Sequence, residues 1–202
     1  MKRIILSITA TMAVVLSAKA IDLNSVQVWG YDVQFGAKFG MNITNVTNFE
    51  DTRAKTGLTF GVTGEIDLNE ISGVAVEMLF SRQGYSYKAD DYKFKERYSY
   101  LNFPILYQYN LKDIVTFEAG LQPGLKVAAN YREKVGDTKY KGKLVGVRTL
   151  DLAIPIGASY LFEDYNVAID LRYNIGLTNI YNTGGGDKHR NSNFTISAQY
   201  LF

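Results

Sequence analysis

Eight stretches of this chain alternate apolar and polar residues with a period of two, and their polar faces carry glycine and isolated charges. In the first, Tyr31, Val33, Phe35, Ala37, Phe39 and Met41 oppose Asp32, Gln34, Gly36, Lys38, Gly40 and Asn42. Leu58, Phe60, Val62 and Ile66 form the next apolar face, followed by Val74, Val76, Met78 and Phe80, and then by Leu101, Phe103, Ile105 and Tyr107. The fifth stretch sets Val115, Phe117, Ala119, Leu121, Pro123, Leu125 and Val127 against Thr116, Glu118, Gly120, Gln122, Gly124 and Lys126. Leu150 to Gly157, Val167 to Ile175 and Phe194 to Phe202 complete the set. Such alternation marks strands with one apolar face, and no stretch beyond the first twenty residues favours a helix.

The gaps alternate as well. Those after the second, fourth and sixth stretches run from seven to ten residues, whereas the others run from fifteen to twenty-two and are rich in Asn, Gly, Lys and Asp. An even strand count, short turns at one end and long loops at the other describe a bacterial outer-membrane barrel. Strands of about ten residues are long enough to cross a bilayer when tilted. In hydrocarbon the sheet must close, so the final strand, ending at Phe202, is expected to pair with the first. The expected fold is therefore all-β: an eight-stranded antiparallel transmembrane β-barrel with both termini in the periplasm. Tyr31, Tyr107, Tyr109, Tyr160, Tyr173 and Tyr200 are candidates for the interfacial rings.

A lipocalin-like soluble barrel also has eight alternating strands, and Val28-Trp29-Gly30 suits one. Its apolar face would line a ligand cavity, leaving the other face to water. Here that other face carries Gly36, Gly40, Gly61, Gly120, Gly124, Gly157 and Gly176, which fit a crowded interior better than a solvated exterior.

At the N-terminus, Lys2 and Arg3 precede an apolar run from Ile4 to Leu16, and Ala18-Lys19-Ala20 has the small-x-small cleavage pattern. Residues 1–20 therefore read as a secretory signal peptide and 21–202 as the outer-membrane barrel domain. Loss of Lys2, Arg3 and Lys19 takes the basic count from 22 to 19 against 20 acidic residues, so the net charge falls from +2 to −1. That balance gives no footing for nucleic acid. Cysteine is absent, so no disulfide is expected. Asn42, Asn45 and Asn193 begin N-x-T triplets, a pattern with meaning only in a eukaryotic secretory route.

Parity puts Lys38, Glu65, Glu77, Glu118, Lys126, Asp151, Asp170 and Arg172 on the polar face. Eight strands enclose a space that side chains can fill, and buried charges must be paired. An internal salt-bridge network is the expectation, and a narrow pore or proton path the alternative. The only histidine, His189, lies near Asp187 and Ser192 in a glycine-rich loop. These residue types could build an acyl-transfer triad, but such a loop does not hold a fixed geometry. No catalytic, cofactor-binding or metal-ligating residues are assigned. Two loops carry the remaining signal. Segment 83–97 mixes Tyr85, Tyr87, Tyr92 and Phe94 with both signs of charge. Loop 130–146 carries Arg132, Lys134, Lys139, Lys141 and Lys143 against Glu133 and Asp137, a surface suited to anionic lipopolysaccharide.

E-M-L-F-S-R-Q-G (77–84), Y-L-N-F-P-I-L-Y-Q-Y (100–109), F-E-A-G-L-Q-P-G (117–124) and L-D-L-A-I-P-I-G-A-S-Y (150–160) resemble, in order and spacing, the small PorT-like outer-membrane β-barrel proteins of Bacteroidetes. The resemblance spans nearly all of residues 21–202 and implies an outer-membrane location. It also implies that Phe202, with Tyr200 before it, is the signal read by the outer-membrane assembly machinery. The expected role is non-enzymatic, structural or surface-interacting through long external loops. Expected partners are outer-membrane lipid, lipopolysaccharide, and a surface protein or glycan. A narrow channel or secretion-associated component is the first alternative, and a lipid-modifying enzyme using His189 the second.

Overall fold

A computed structural model describes residues 26–28, 30–47, 52–89, 92–111, 114–181 and 189–202. The segment expected to be a signal peptide, 1–20, lies outside the described residues, as does Trp29. Among those described, the regular structure is all β apart from a single 3-10 turn at Glu163–Tyr165. The strands are β1 (Gln27–Val28), β2 (Tyr31–Val46), β3 (Thr52–Asn69), β4 (Ser72–Gln83), β5 (Tyr85–Ala89) and β6 (Tyr92–Asn102). They continue as β7 (Ile105–Leu111), β8 (Val115–Val135), β9 (Thr138–Lys143), β10 (Leu150–Phe162), β11 (Val167–Gly176) and β12 (Asn191–Leu201).

Each pairing is antiparallel. β2 pairs β3, β3 pairs β4, β4 pairs both β6 and β7, and these in turn pair β8. From β8 the order runs to β10, β11 and β12. β12 then returns to β2, from Leu201↔Gly36 to Asn191↔Val46. β5 extends β4 beyond Gly84, whose φ of +139° is a conformation that glycine tolerates. β7 likewise extends β6 beyond Phe103 and Pro104. There the Glu77 amide donates to the Pro104 carbonyl at 2.9 Å and the Phe103 amide to Pro123 at 2.8 Å, so pairing carries across the break.

The burial pattern is the reverse of a soluble sheet. Lys38, Asn42, Thr44, Thr63, Glu77, Asp170 and Arg172 are buried, while Phe39, Met41, Ile43, Val76, Leu121 and Ile196 are each about half exposed. The apolar faces expected from the alternation are the outward ones, and the glycine and charge faces point in. Val33 is an exception, buried at the end where the short β1 folds onto β2. Tyr107, Tyr109 and Tyr160 lie outward near the short turns, where the Tyr107 hydroxyl reaches Ser72 Oγ at 2.8 Å. Tyr200 packs edge-on against Phe202 at 5.7 Å at the same end.

Two expectations change. Segments 83–97 and 130–146 are not loops along most of their length: β5, β6, the end of β8, and β9 occupy them. Their alternation is between charged and aromatic residues, so it lacks the apolar stripe that identifies a strand in sequence. Gly136, at φ +55°, makes the two-residue turn that joins Val135 to Thr138.

Inward glycines allow neighbouring backbones to approach. A Cβ on Gly120 would sit 2.0 Å from the Ile105 carbonyl oxygen, whereas one on the outward Gly64 has its nearest neighbour at 3.6 Å. We therefore expect Gly120→Ala to cost about 1–3 kcal/mol through overpacking and Gly64→Ala to be close to neutral. Urea midpoints for loss of the fast-migrating, heat-modifiable form check both.

Candidate functional site

Two charged regions differ in how their charge is balanced. The first fills the lumen. On β11 the two-residue period points Asp170 and Arg172 the same way, towards Lys38 of β2, Glu77 of β4 and Glu118 of β8. Arg172 donates from Nη1 and Nη2 to the two carboxylate oxygens of Glu77 at 2.6 and 3.0 Å, and from Nε to Glu118 at 2.6 Å. Its remaining carboxylate neighbour is Asp170, at 3.5 Å. Lys38 Nζ donates to Glu77 at 2.7 Å and stands 3.7 Å from Asp170, which also accepts from the Ser197 hydroxyl at 3.0 Å. These five charged side chains are at most 3 % exposed. A planar guanidinium suits this position because its fork meets a carboxylate at two points and still offers Nε to a third group.

The other inward charges lie along the same axis. Glu65 accepts from Gln199, Asp151 accepts from Thr178 and Asn191, and Lys126 donates to the Val147 carbonyl. Between the charge cluster and the short turns lies a cavity of about 300 Å³ lined by Gln34, Glu65, Asp67, Gln108 and Glu118. At the long-loop end the space is closed by a tyrosine cluster. Tyr98 and Tyr181 both donate to Glu96 Oε2, and their hydroxyls stand 2.9 Å apart. Val46, Tyr85, Tyr100, Val147 and Ile180 pack around them. Burial pushes the Tyr85 hydroxyl up to about 12, so it stays protonated.

The second charged region is on the outside. β6, β8 and β9 run beyond the apolar belt, and cross-strand register sets their basic residues in three rows. Lys93, Lys134 and Lys139 form one row; Lys95, Arg132 and Lys141 the next; Arg97, Asn130 and Lys143 the third. Residues directly opposite share a face, and residues two apart on a strand share it too. Eight of the nine positions on this face are therefore cations. The reverse face carries Phe94 stacked on Tyr131 at 6.2 Å, with Glu96 and Glu133. Among the described residues the single ion pair on the cationic face is Lys134–Asp137, 3.7 Å apart and exposed.

Two concavities lie along this surface. One, of about 570 Å³, is lined by Lys93, Lys95, Arg97, Arg132 and Lys141. The other, of about 360 Å³, joins Lys55, Arg82 and Arg97 to the outward apolar residues Met41 and Leu58. Lys55 lies beyond Leu58 on the long-loop side and donates to the Glu96 carbonyl at 2.8 Å. Burial first, then Arg97, Lys95, Arg82 and Arg132, bring its ammonium down to about 7.

All five basic residues picked out in segment 130–146 belong to the cationic face. The partners that sequence reasoning did not connect to them are Lys93, Lys95 and Arg97, although K-x-K-x-R, R-x-K and K-x-K-x-K all have a strand period. Among the described residues, His189 and Ser192 do not hydrogen-bond each other. The His189 ring packs edge-on against Tyr181 at 5.8 Å with Nδ1 3.4 Å from the Thr47 carbonyl, and Ser192 Oγ meets the Tyr173 hydroxyl at 2.6 Å. Asp187 lies outside the described residues. Among the described residues no group of three or more His, Cys, Asp or Glu side chains is arranged to hold a metal ion.

Residues 25–182 match the family model described as outer membrane protein beta-barrel domain. No curated protein matches the chain in sequence. Among solved structures, Neisserial surface protein A (NspA) is 16% identical, with a TM-score of 0.52, covering 84% of this chain and 97% of its own. Ail, the attachment invasion locus protein of Yersinia pestis, in complex with the heparin analogue sucrose octasulfate, is 16% identical with a TM-score of 0.50. That match covers 84% of this chain and 99% of Ail. At this identity the likeness speaks to the fold.

Removing Arg172 leaves three carboxylates against Lys38 alone. Arg172→Met is expected to cost about 3–5 kcal/mol, as for other buried pairs broken from one side, with Arg172→Lys recovering part because it lacks the fork. Urea denaturation of the folded form measures both. Lys55 gives a pH signature. Above about pH 7 the folded protein has released the Lys55 proton, while the unfolded chain holds it until its ordinary, higher pKa. Stability from this site therefore rises with pH between those values. Unfolding midpoints for the wild type should climb relative to Lys55→Met as the pH is raised from 6 to 9.

Proposed function

Because the chain belongs to the outer membrane protein beta-barrel domain family, we propose that its sheet closes as an eight-stranded antiparallel barrel across the outer membrane, acting as a non-conducting surface-interaction protein. In this reading β4 with β5, and β6 with β7, each count as one interrupted strand. Residues 1–20 are the export signal, residues 21–202 the barrel domain, and both ends of that domain are periplasmic. The β12–β2 ladder supports closure, and the outward apolar belt supports a lipid surround.

The observation that carries the functional reading is the lumen. Five mutually paired charges cross it, and a tyrosine cluster caps it. A filled barrel leaves the surface beyond the membrane as the working part, and here that surface is the extension built from β5, β6, β8 and β9. Its partners are sought among the anionic materials of the cell exterior, lipopolysaccharide included, with a surface protein or glycan as further classes. Sucrose octasulfate, the heparin analogue seen with Ail, is the natural probe for a sulfated glycan. Phe202 is proposed as the residue read by the assembly machinery, and a PorT-like affiliation, with its link to secretion, as the finer placement.

Planar-bilayer recording tests this. The wild type is expected to give no conductance steps, while joint replacement of Lys38, Glu77, Glu118, Asp170 and Arg172 by serine, if it folds, should open a path. Unitary conductance by the wild type would overturn the filled-barrel reading in favour of the channel.

A further inference from the structure

We propose that the three-row cationic face of β6, β8 and β9 binds the phosphate groups of phosphorylated glycolipid headgroups in the leaflet around the barrel. This rests on the outer-membrane reading above and names the chemistry of its partner.

Charge is the first argument. The whole chain carries a net charge of only +2, yet eight of the nine positions on this face are basic. Like charges directly opposite one another in a sheet are unfavourable, so the face gains from an added anion; among the described residues the one ion pair it makes is Lys134 with the exposed Asp137. Spacing is the second. Neighbouring strands lie about 4.8 Å apart and residues two apart on a strand about 6.7 Å apart. One phosphate can thus sit between cations of adjacent strands, and a headgroup with two phosphates can engage two rows.

Orientation decides between a lipid and a free polyanion. Arg97, Ser99 and Leu101 alternate on β6, and Leu101 pairs with Leu125 of β8, which is exposed in the apolar belt. The cationic face is therefore the upward continuation of the lipid-facing surface. At its foot, Lys55, Arg82 and Arg97 share a concavity with Met41 and Leu58. A notch that is cationic above and apolar below matches a molecule with a phosphate headgroup over acyl chains. A soluble polyanion would make no use of the apolar half.

The test reconstitutes the full folded protein in phosphatidylcholine nanodiscs containing lipopolysaccharide, lipopolysaccharide stripped of phosphate, or neither. Binding is read from retained glycolipid and from the shift in unfolding temperature. Intact lipopolysaccharide should be retained and should stabilise the wild type; the stripped form should do neither. Neutralising the middle row with Lys95→Gln, Arg132→Gln and Lys141→Gln should weaken retention roughly a hundredfold, at about fivefold per basic group near an anionic surface. Should that variant fail to give the heat-modifiable form, Lys139→Gln with Lys143→Gln on the exposed β9 replaces it, with roughly a twenty-fivefold loss expected on the same scale. Equal retention of the stripped form, or no loss in a folded variant, overturns the proposal. So does a wild type that ignores lipopolysaccharide and binds a soluble sulfated oligosaccharide, which would assign the face to a free glycan. A wild type that shows no heat-modifiable migration overturns the barrel reading itself, a result separate from all of these.

Discussion

If Leu201 did not pair with Gly36 and Asn191 with Val46, β2 and β12 would each present a row of amides and carbonyls with no partner. In hydrocarbon each such group costs several kcal/mol, far more than any side-chain contact at the seam returns. The ladder between the first long strand and the last is therefore the constraint behind the rest. With it in place, the backbone can be surrounded by lipid, and the sorting of side chains follows. Apolar groups gain by facing out, and the enclosed space falls to residues that are small or that can satisfy one another. Gly120 lies against the Ile105 carbonyl in that space, and Arg172 takes three carboxylates as neighbours.

The two charged regions are opposite solutions to the same electrostatics. Inside, where the surroundings screen poorly, two cations and three carboxylates converge and the polar atoms that line the lumen share the remainder. Geometry there must be tight because an unmatched charge is expensive. Outside, water screens the repulsion between neighbouring lysines, so a surface can carry excess charge at modest cost. Screening permits the rows of β6, β8 and β9; it does not account for their being there. The interior network holds the protein together, and the exterior rows are open to other molecules.

Much of this was legible in the chain. Parity alone assigned Lys38, Glu77, Glu118, Asp170 and Arg172 to the interior, because a strand offers only two faces and the other was apolar. Which of them would pair was not legible, since that depends on register across β2, β4, β8 and β11. The strands beyond the belt were harder. In segments 83–97 and 130–146 both faces are polar or aromatic, so the alternation of lysine with tyrosine carried no apolar signal and read as loop. His189, Asp187 and Ser192 illustrate the converse: proximity in sequence suggested chemistry, whereas Ser192 lies on β12 with its hydroxyl turned to Tyr173.

One irregularity in the ladder has a wide reach. Between Ser99 and Tyr100 the pairing of β6 with β8 shifts by one, leaving Val127 as an extra residue on β8. Below the shift the odd-numbered residues of β8 face outward, Leu125 among them; above it the even-numbered ones do, bringing out Asn130, Arg132 and Lys134. Were Val127 instead paired in regular alternation, with no bulge, the outer half of β8 would turn over, presenting Tyr131 and Glu133 and hiding its cations against the aromatic side. The bulge at the edge of the membrane thus acts as a parity switch. The same run of residues, paired with or without the bulge, would give a basic exterior or an aromatic, acidic one while the sheet beneath stays the same, a short route to new surface chemistry on an unchanged anchor.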